Sequence, residues 1–238
     1  MANPAYKRVL LKLSGEALMG EKAFGVDPEV CHKIASQVKE LCSLGVQVSI
    51  VVGGGNIFRG AHSDQLCMER TPADHIGMLA TIINGISLQQ AFERVDCESR
   101  IMSAISCDVM AENYSWKNAI DYLQRGLVLI FVGGTGNPYF TTDSAAALRA
   151  LETKAEVFFK ATKVDGVYDK DPMIFPDAKR FETISYEQIL KSNLKVMDAT
   201  AVALARDNRI PIRVFNLLEN SLVKAVCNES IGTLVEGS

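Results

Sequence analysis

The chain has 238 residues, of which 48% are apolar and 22% charged, with 25 basic against 28 acidic side chains and a formal net charge of −3. This composition excludes a disordered or low-complexity chain, and the mild acidity excludes the basic track that non-specific nucleic-acid binding needs. The length suits one large domain or two small ones.

The elements alternate between strand and helix. Lys7 to Leu13 (KRVLLKL) reads as a buried strand, followed by a Gly-bearing loop from Ser14 to Asp27. Asp27-Pro28-Glu29 opens a helix whose apolar positions are Val30, Ile34, Val38 and Leu41, and Gly45 ends it. Val46 to Val52 is the next strand and runs straight into Gly53-Gly54-Gly55. The segment Asp74 to Phe92 is helical and apolar on every side, with Asp74 at its start as a candidate cap. Such a helix belongs in a large core or a subunit interface, and in a chain this size the interface is favoured, which predicts a homo-oligomer. A short strand at Arg100 to Ser103 and a helix at Ser115 to Gln124 follow, then an apolar strand at Leu127 to Val132. Thr142-Asp143 reads as the cap of a helix over Ser144 to Thr153. The remaining elements are a strand at Glu156 to Lys160, a turn-rich loop from Val164 to Asp177, helices at Tyr186 to Lys191 and Ala199 to Asp207, and a strand at Ile210 to Phe215. A final helix and short strand close the chain. This alternation predicts an α/β fold, a mostly parallel sheet with helices on both faces and ligands at the C-terminal strand ends.

No apolar run reaches membrane-spanning length, and residues 1–9 lack the apolar core of a leader, so a cytoplasmic protein without membrane contact is expected. Cysteines at 31, 42, 67, 97, 107 and 227 form no Cys-x-x-Cys, and they are expected to be reduced and mostly buried. His32, His62 and His75 follow no ligand spacing, and no protein-held metal is expected.

Three Gly-bearing turns follow strands: Lys12-Leu13-Ser14-Gly15, Gly53-Gly54-Gly55-Asn56, and Gly133 to Thr142. Glycine lets backbone N–H groups approach an anion, and a helix N-terminus adds partial positive charge. Three such turns on one edge of a parallel sheet point to a polyphosphate site. The familiar nucleotide fingerprints are absent: there is no Gly-Lys dipeptide for a P-loop, and the dinucleotide pattern fails at Phe58 and again at Tyr139. Cations are still required, because amide dipoles alone do not neutralise a transferring phosphoryl group. Lys12 and Lys160 stand near the ends of apolar strands, Arg59 lies just past the triple glycine, and Asp143 and Asp198 could orient lysines or a metal.

Long stretches of the chain carry a resemblance: LLKLSGEAL at 10–18, GGGNIFRG at 53–60, DHIGMLAT at 74–81, GTGNPYFTTDSAA at 134–146, KATKVDGVYDKDP at 160–172, KVMDATA at 195–201 and LARDNRIPIRVFN at 204–216. In these the chain resembles the bacterial UMP (uridylate) kinases of the amino-acid-kinase family, over nearly its whole length. The resemblance implies one domain, 1–238, folded as a three-layer α/β/α sandwich with a mostly parallel central sheet. Its nucleoside-monophosphate half would span roughly 1–150 and its ATP half roughly 151–238. It implies transfer of the ATP γ-phosphate to UMP, giving UDP for pyrimidine nucleotide biosynthesis, with Mg²⁺ accompanying ATP. By position, Lys12, Asp143 and Lys160 would be catalytic. Lys12, Leu13, Ser14, Gly15, Gly55, Arg59, Thr162, Tyr168 and Asp171 would bind ATP. Gly54, Asp74, Thr135, Gly136, Asn137, Pro138, Tyr139, Phe140, Thr141 and Thr142 would bind UMP. The family further implies a hexamer with GTP as activator and UTP as inhibitor, with Gly20, Glu21, Lys22, Ala23, Phe24 and Gly25 as the candidate effector region. Two other readings remain at this point: a sibling kinase with a carboxylate or carbamate acceptor, and a non-catalytic nucleotide or oxyanion binder. The Thr135 to Thr142 segment argues against the first, and the presence of Lys12, Lys160 and Asp143 against the second.

Overall fold

Runs of Val, Leu, Ile and Phe with almost no polar breaks make strands that are buried on both faces, and such strands pair in parallel with helices above and below. In a computed structural model, which describes residues 3–58, 68–194, 196–217 and 221–237, they form one nine-stranded sheet. The strands in chain order are β1 (Arg8–Leu13), β2 (Gln47–Val52), β3 (Ser99–Ser103), β4 (Glu112–Asn113), β5 (Val128–Val132), β6 (Val157–Thr162), β7 (Thr183–Ile184), β8 (Ile212–Asn216) and β9 (Thr233–Val235). Their spatial order is β4-β3-β5-β2-β1-β6-β8-β9-β7, and every pairing is parallel except β8 with β9. The strands that carry the three glycine turns, β5, β2 and β1, are therefore neighbours, with β6 next in line.

The helices are α1 (Pro28–Ser43), α2 (Arg70–Arg94), α3 (Trp116–Gln124), α4 (Thr142–Glu152), α5 (Tyr186–Lys191), α6 (Ala199–Asp207) and α7 (Leu222–Val226), with a 3₁₀ turn at Gly15–Leu18. Alternation along the strands divides the core. Val9, Leu11, Leu13 and Phe159 pack with α1, α2 and α7, while Leu10, Val51, Phe131 and Phe158 pack with α3, α4, α5 and α6. A side chain such as Phe158, fully buried, contributes roughly 1.5–3 kcal/mol. The three-layer sandwich is thus the observed architecture.

Several boundaries differ from the sequence reading. The loop after β1 contains the 3₁₀ turn Gly15–Leu18, capped by the Ser14 hydroxyl, which accepts from Ala17 N–H. Helix α2 begins at Arg70 with Glu69 as N-cap, so Asp74 lies inside the helix and is not its cap. Pro72 is tolerated there because the first turn has no intrahelical partner for its N–H. Strand β6 continues to Thr162, so Lys160 sits inside it and not at its end. The two-residue strands β4 and β7 have no counterpart in the sequence reading. Of the five described cysteines only Cys31 is buried; Cys42, Cys97, Cys107 and Cys227 are half-buried. Cys67 and His62 lie outside the described residues, and His32 and His75 are exposed.

Candidate active site

The pleat decides which residues meet. In β1 and β6 the residues alternate between the two cores, which turns Lys12 and Lys160 to the same face as Leu10 and Phe158. The two lysines are also register partners across the β1–β6 pair, so their backbones stand one strand spacing apart. Both are nearly buried. Two ammonium groups this close repel, and the fold supplies a carboxylate between them. Asp143, in the first turn of α4, receives a hydrogen bond from Lys160 Nζ to Oδ2 at 2.5 Å, and Lys12 Nζ lies 3.1 Å from Oδ1. The Lys12 contact is an ion pair at hydrogen-bond distance. Burial pushes the Asp143 carboxyl up, but the charges of Lys12 and Lys160 outweigh it and hold it below the usual carboxylate value. At Lys160 burial wins over Asp143, and its pKa is lowered. The group is a compact cluster of net charge +1 at the C-terminal edge of the sheet.

Asp143 is available for this role because another residue caps the helix. Thr141, not Thr142 or Asp143, is the N-cap of α4, and its hydroxyl accepts from the Asp143 and Ser144 N–H groups. The Thr141 hydroxyl donates in turn to Asp198 Oδ2, and Ser144 Oγ donates to Asp198 Oδ1 at 3.0 Å. Asp198 is itself the N-cap of α6, accepting from Ala201 N–H. Its oxygens thus tie the starts of α4 and α6 together and make no ion pair with the lysines among the described contacts.

The three glycine turns converge beside this cluster. A Cβ added to Gly15 would lie 2.3 Å from Asn56 Oδ1 and 2.7 Å from Gly55 N, and one on Gly53 would lie 3.2 Å from both Gly15 N and Thr142 Oγ1. The turns after β1 and β2 and the start of α4 are therefore in direct contact. A cavity of about 260 Å³ opens next to them. Gly54, Asp74, Thr135, Phe140, Thr141 and Thr142 line it, all of them sequence-predicted acceptor residues, together with Gly55 from the predicted ATP set.

Asp74 shapes one wall. It pairs with Arg70 at 2.8 Å and accepts the Tyr139 N–H at 2.7 Å. Tyr139 has φ 72°, left-handed backbone that a side chain makes costly, and the Asp74 bond helps to hold it there. Gly136, Asn137, Pro138 and Tyr139 belong to the same loop but do not line the cavity. Sequence reading missed Arg70, Ala73, Gly77, Met78 and Thr81 in the lining. Their spacing with Asp74 is helical, so the signal was one face of α2, hidden because the apolar residues of that helix surround its axis.

The predicted adenosine residues are placed apart from the cavity, in and after β6. Thr162 Oγ1 donates to Val164 O at 2.5 Å, and Asp171 Oδ1 accepts from Met173 N–H at 2.9 Å. The Tyr168 hydroxyl donates to Asp165 at 2.6 Å, which raises its pKa. Ser14 and Leu13 lie at the β1 turn already described. Arg59 lies outside the described residues. The stretch from Gly20 to Gly25 is an exposed loop whose last residue is hydrogen-bonded to Asn56.

The profile of the Amino acid kinase family matches residues 7–216. The chain belongs to this family. Relatives within it are similar over nearly their full length. The uridylate kinase of Protochlamydia amoebophila is 52% identical over 233 residues, covering 97% of this chain and 93% of that one. The UMP kinase structure from Bacillus anthracis superposes with a TM-score of 0.93 at 38% identity, covering 97% of this chain and 96% of that one. That from Ureaplasma parvum superposes with a TM-score of 0.92 at 40% identity, covering 97% and 99%. The amino-acid-kinase fold is thus shared along with the sequence. No helix among the described residues is long and apolar enough to cross a membrane.

Proposed function

We propose that this chain is a nucleoside monophosphate kinase that transfers the γ-phosphate of ATP to UMP, giving UDP and ADP. The observation that carries the reading is the Lys12–Asp143–Lys160 cluster at the C-terminal ends of β1 and β6, beside the glycine turns that line the Asp74 cavity. Its uridylate-kinase relatives supply the choice of acceptor. The strand order fits the same reading, because β1 to β5 lie on one side of the β1–β6 pairing and β6 to β9 on the other, with residues roughly 1–150 taking the acceptor and 151–238 taking ATP.

The chemistry suits these residue types. The second pKa of a phosphate monoester is about 6, so near neutral pH the acceptor is mostly a dianion and no base is required. The difficulty is bringing two anions together. Lys12 and Lys160 would flank the transferring phosphoryl group while an oxygen of UMP bonds to the γ-phosphorus and the bond to the ADP oxygen breaks. Asp143 keeps both ammonium groups aimed, so no reorganisation is needed at the moment of transfer. The Gly15, Gly54 and Gly55 amides would hold phosphate oxygens. Thr162, Tyr168 and Asp171 would hold the adenosine, and Thr135 to Thr142 would close over UMP.

Mg²⁺ would travel on the ATP phosphates. The described residues include no group of three or more His, Cys, Asp or Glu able to hold a metal ion, and the Asp143 carboxylate, already paired with both lysines, would meet the ion only through its water shell. When bound, the ion would neutralise phosphate charge.

The test is a coupled assay with ATP, Mg²⁺ and each nucleoside monophosphate in turn. UMP should be preferred, and a chain that prefers another acceptor or turns over none would overturn the reading. Asp74→Asn separates the two substrates. It removes the charge facing Arg70 and loosens the Tyr139 turn, so the KM for UMP should rise about tenfold while that for ATP changes little. An equal rise for both would contradict the assignment.

The oligomer belongs to the same proposal. Helix α2 buries one face and leaves Leu79 52% and Ile83 48% exposed, one turn apart on the other. This stripe fits a homo-oligomer interface, with a hexamer as the family expectation. Sedimentation of Ile83→Asp should show smaller species than the wild type, and a wild-type monomer at micromolar concentration would refute the interface. The exposed loop Gly20 to Gly25 remains the proposed effector region, tested by adding GTP and UTP to the coupled assay.

A further inference from the structure

The core between α2 and the sheet contains two buried amides that the chemistry above does not use. Asn84, in the middle of α2, is 0% exposed, and Asn56, the last residue of the triple-glycine turn, is 2% exposed. They clasp each other. Asn56 Nδ2 donates to Asn84 Oδ1 at 2.9 Å, and Asn84 Nδ2 donates to Asn56 Oδ1 at 2.7 Å. The second N–H of Asn84 goes to the carbonyl of Gly53 at 2.7 Å, and that of Asn56 goes to the carbonyl of Gly25 at 2.9 Å. The Gly25 N–H returns to Asn56 O at 3.0 Å. All four side-chain N–H donors are therefore satisfied, and both ends of the Gly53–Asn56 turn are tied to one helix.

A buried polar network offsets its desolvation only when it is fully paired, and apolar side chains of the same size would fill this space without that cost. What an amide pair supplies and a leucine does not is a fixed direction for the backbone it holds. The turn has little other freedom: a Cβ on Gly54 would meet Gly77 O at 2.7 Å and Ala80 Cβ at 2.8 Å, so the turn already lies flat on α2. The same side of the helix holds a second turn, where Thr81 Oγ1 accepts the Gly133 N–H at 2.7 Å.

We propose that Asn84 is a positioning residue for phosphoryl transfer: through Gly53 O and the Asn56 side chain it sets the aim of the Gly54 and Gly55 amides at the phosphates. The clasp also links the Gly20–Gly25 loop to those amides, through Gly25. The inference rests on the phosphate role proposed for this turn, and its geometric part stands without it.

Asn84→Asp keeps the shape and the acceptor oxygen but loses both donors, and Asn84→Ser is a milder second variant. Leu88→Ala, which removes a wholly buried apolar side chain one turn further along α2, is the control for lost packing. Hydrogen exchange across residues 50–57 should speed up about tenfold in the Asn84 variants and much less in Leu88→Ala. In the UMP kinase assay, KM for ATP and UMP should rise about fivefold or more in the Asn84 variants, a change that a smaller folded fraction does not produce. Leu88→Ala should keep wild-type KM values. Wild-type exchange in the turn, KM values within about twofold of wild type, or failure of both Asn84 variants to fold would each overturn the proposal. A wild-type chain inactive with every nucleoside monophosphate would remove the proposed function, and the exchange measurement would still decide whether Asn84 holds the turn.

Discussion

Asp143→Asn should lower kcat by a factor of about 10²–10³, the scale seen when a preorganised electrostatic contact is removed from a reacting group. The carboxylate is the counter-charge that lets Lys12 and Lys160 stand side by side with their ammonium groups aimed. An amide fills the same space but leaves two nearly buried cations facing each other, and burial then lowers the pKa of Lys160 with less to oppose it. Breaking a buried ion pair from one side costs about 3–5 kcal/mol, a large share of the roughly 5–15 kcal/mol that holds a domain folded. The variant should therefore still fold, with a lower urea midpoint. The stability difference has a pH signature. Because the folded-state pKa of Asp143 lies below the ordinary value of 3.8, its contribution is full above that value and is lost as pH falls through the depressed one. Urea titrations of wild type and variant should stay apart at neutral pH and begin to converge only as pH falls below 3.8. Wild-type kcat in Asp143→Asn would remove Asp143 from the mechanism.

Gly15→Ala should be nearly as damaging, for a steric reason. The added methyl would sit 2.3 Å from Asn56 Oδ1 and 2.7 Å from the Gly55 nitrogen, so the turns after β1 and β2 must separate. Overpacking of this kind costs about 1–3 kcal/mol of stability. The effect on rate should be larger, because a displacement near 1 Å at a positioned group costs about 10²-fold. Thermal denaturation and steady-state kinetics together should find a folded enzyme with kcat reduced by that order. An Ala variant with unchanged kcat would mean that the contact between the two turns has no part in transfer.

Much of the fold was legible in the residues. The strands β1, β2, β5 and β6 were marked by apolar runs and the helices α1, α5 and α6 by their caps and spacing, because burial on both faces and helical periodicity leave local traces. The glycines after β1, β2 and β5 were legible as turns at the strand ends. The strands β4 and β7 were not, since two residues become a strand only by pairing with a partner. The start of α2 was misplaced because Asp74 looks like a cap, and only the observed helix reveals Arg70 and Ala73 on the cavity side.

The site divides along the same line. The chain by itself determined which chemistry was on hand: lysines in apolar strands, an aspartate at a helix start, and glycines in the turns that follow the strands. Each of those signals is written within a few residues. Only the tertiary structure decided what those groups do. The β1–β6 register sets Lys12 beside Lys160, and the capping of α4 by Thr141 leaves Asp143 to bridge them. Asn56 and Asn84, 28 positions apart, read as ordinary polar residues until the packing of α2 on the sheet closes them into a clasp. Directions of this kind depend on where separate elements come to rest, and no local pattern encodes them.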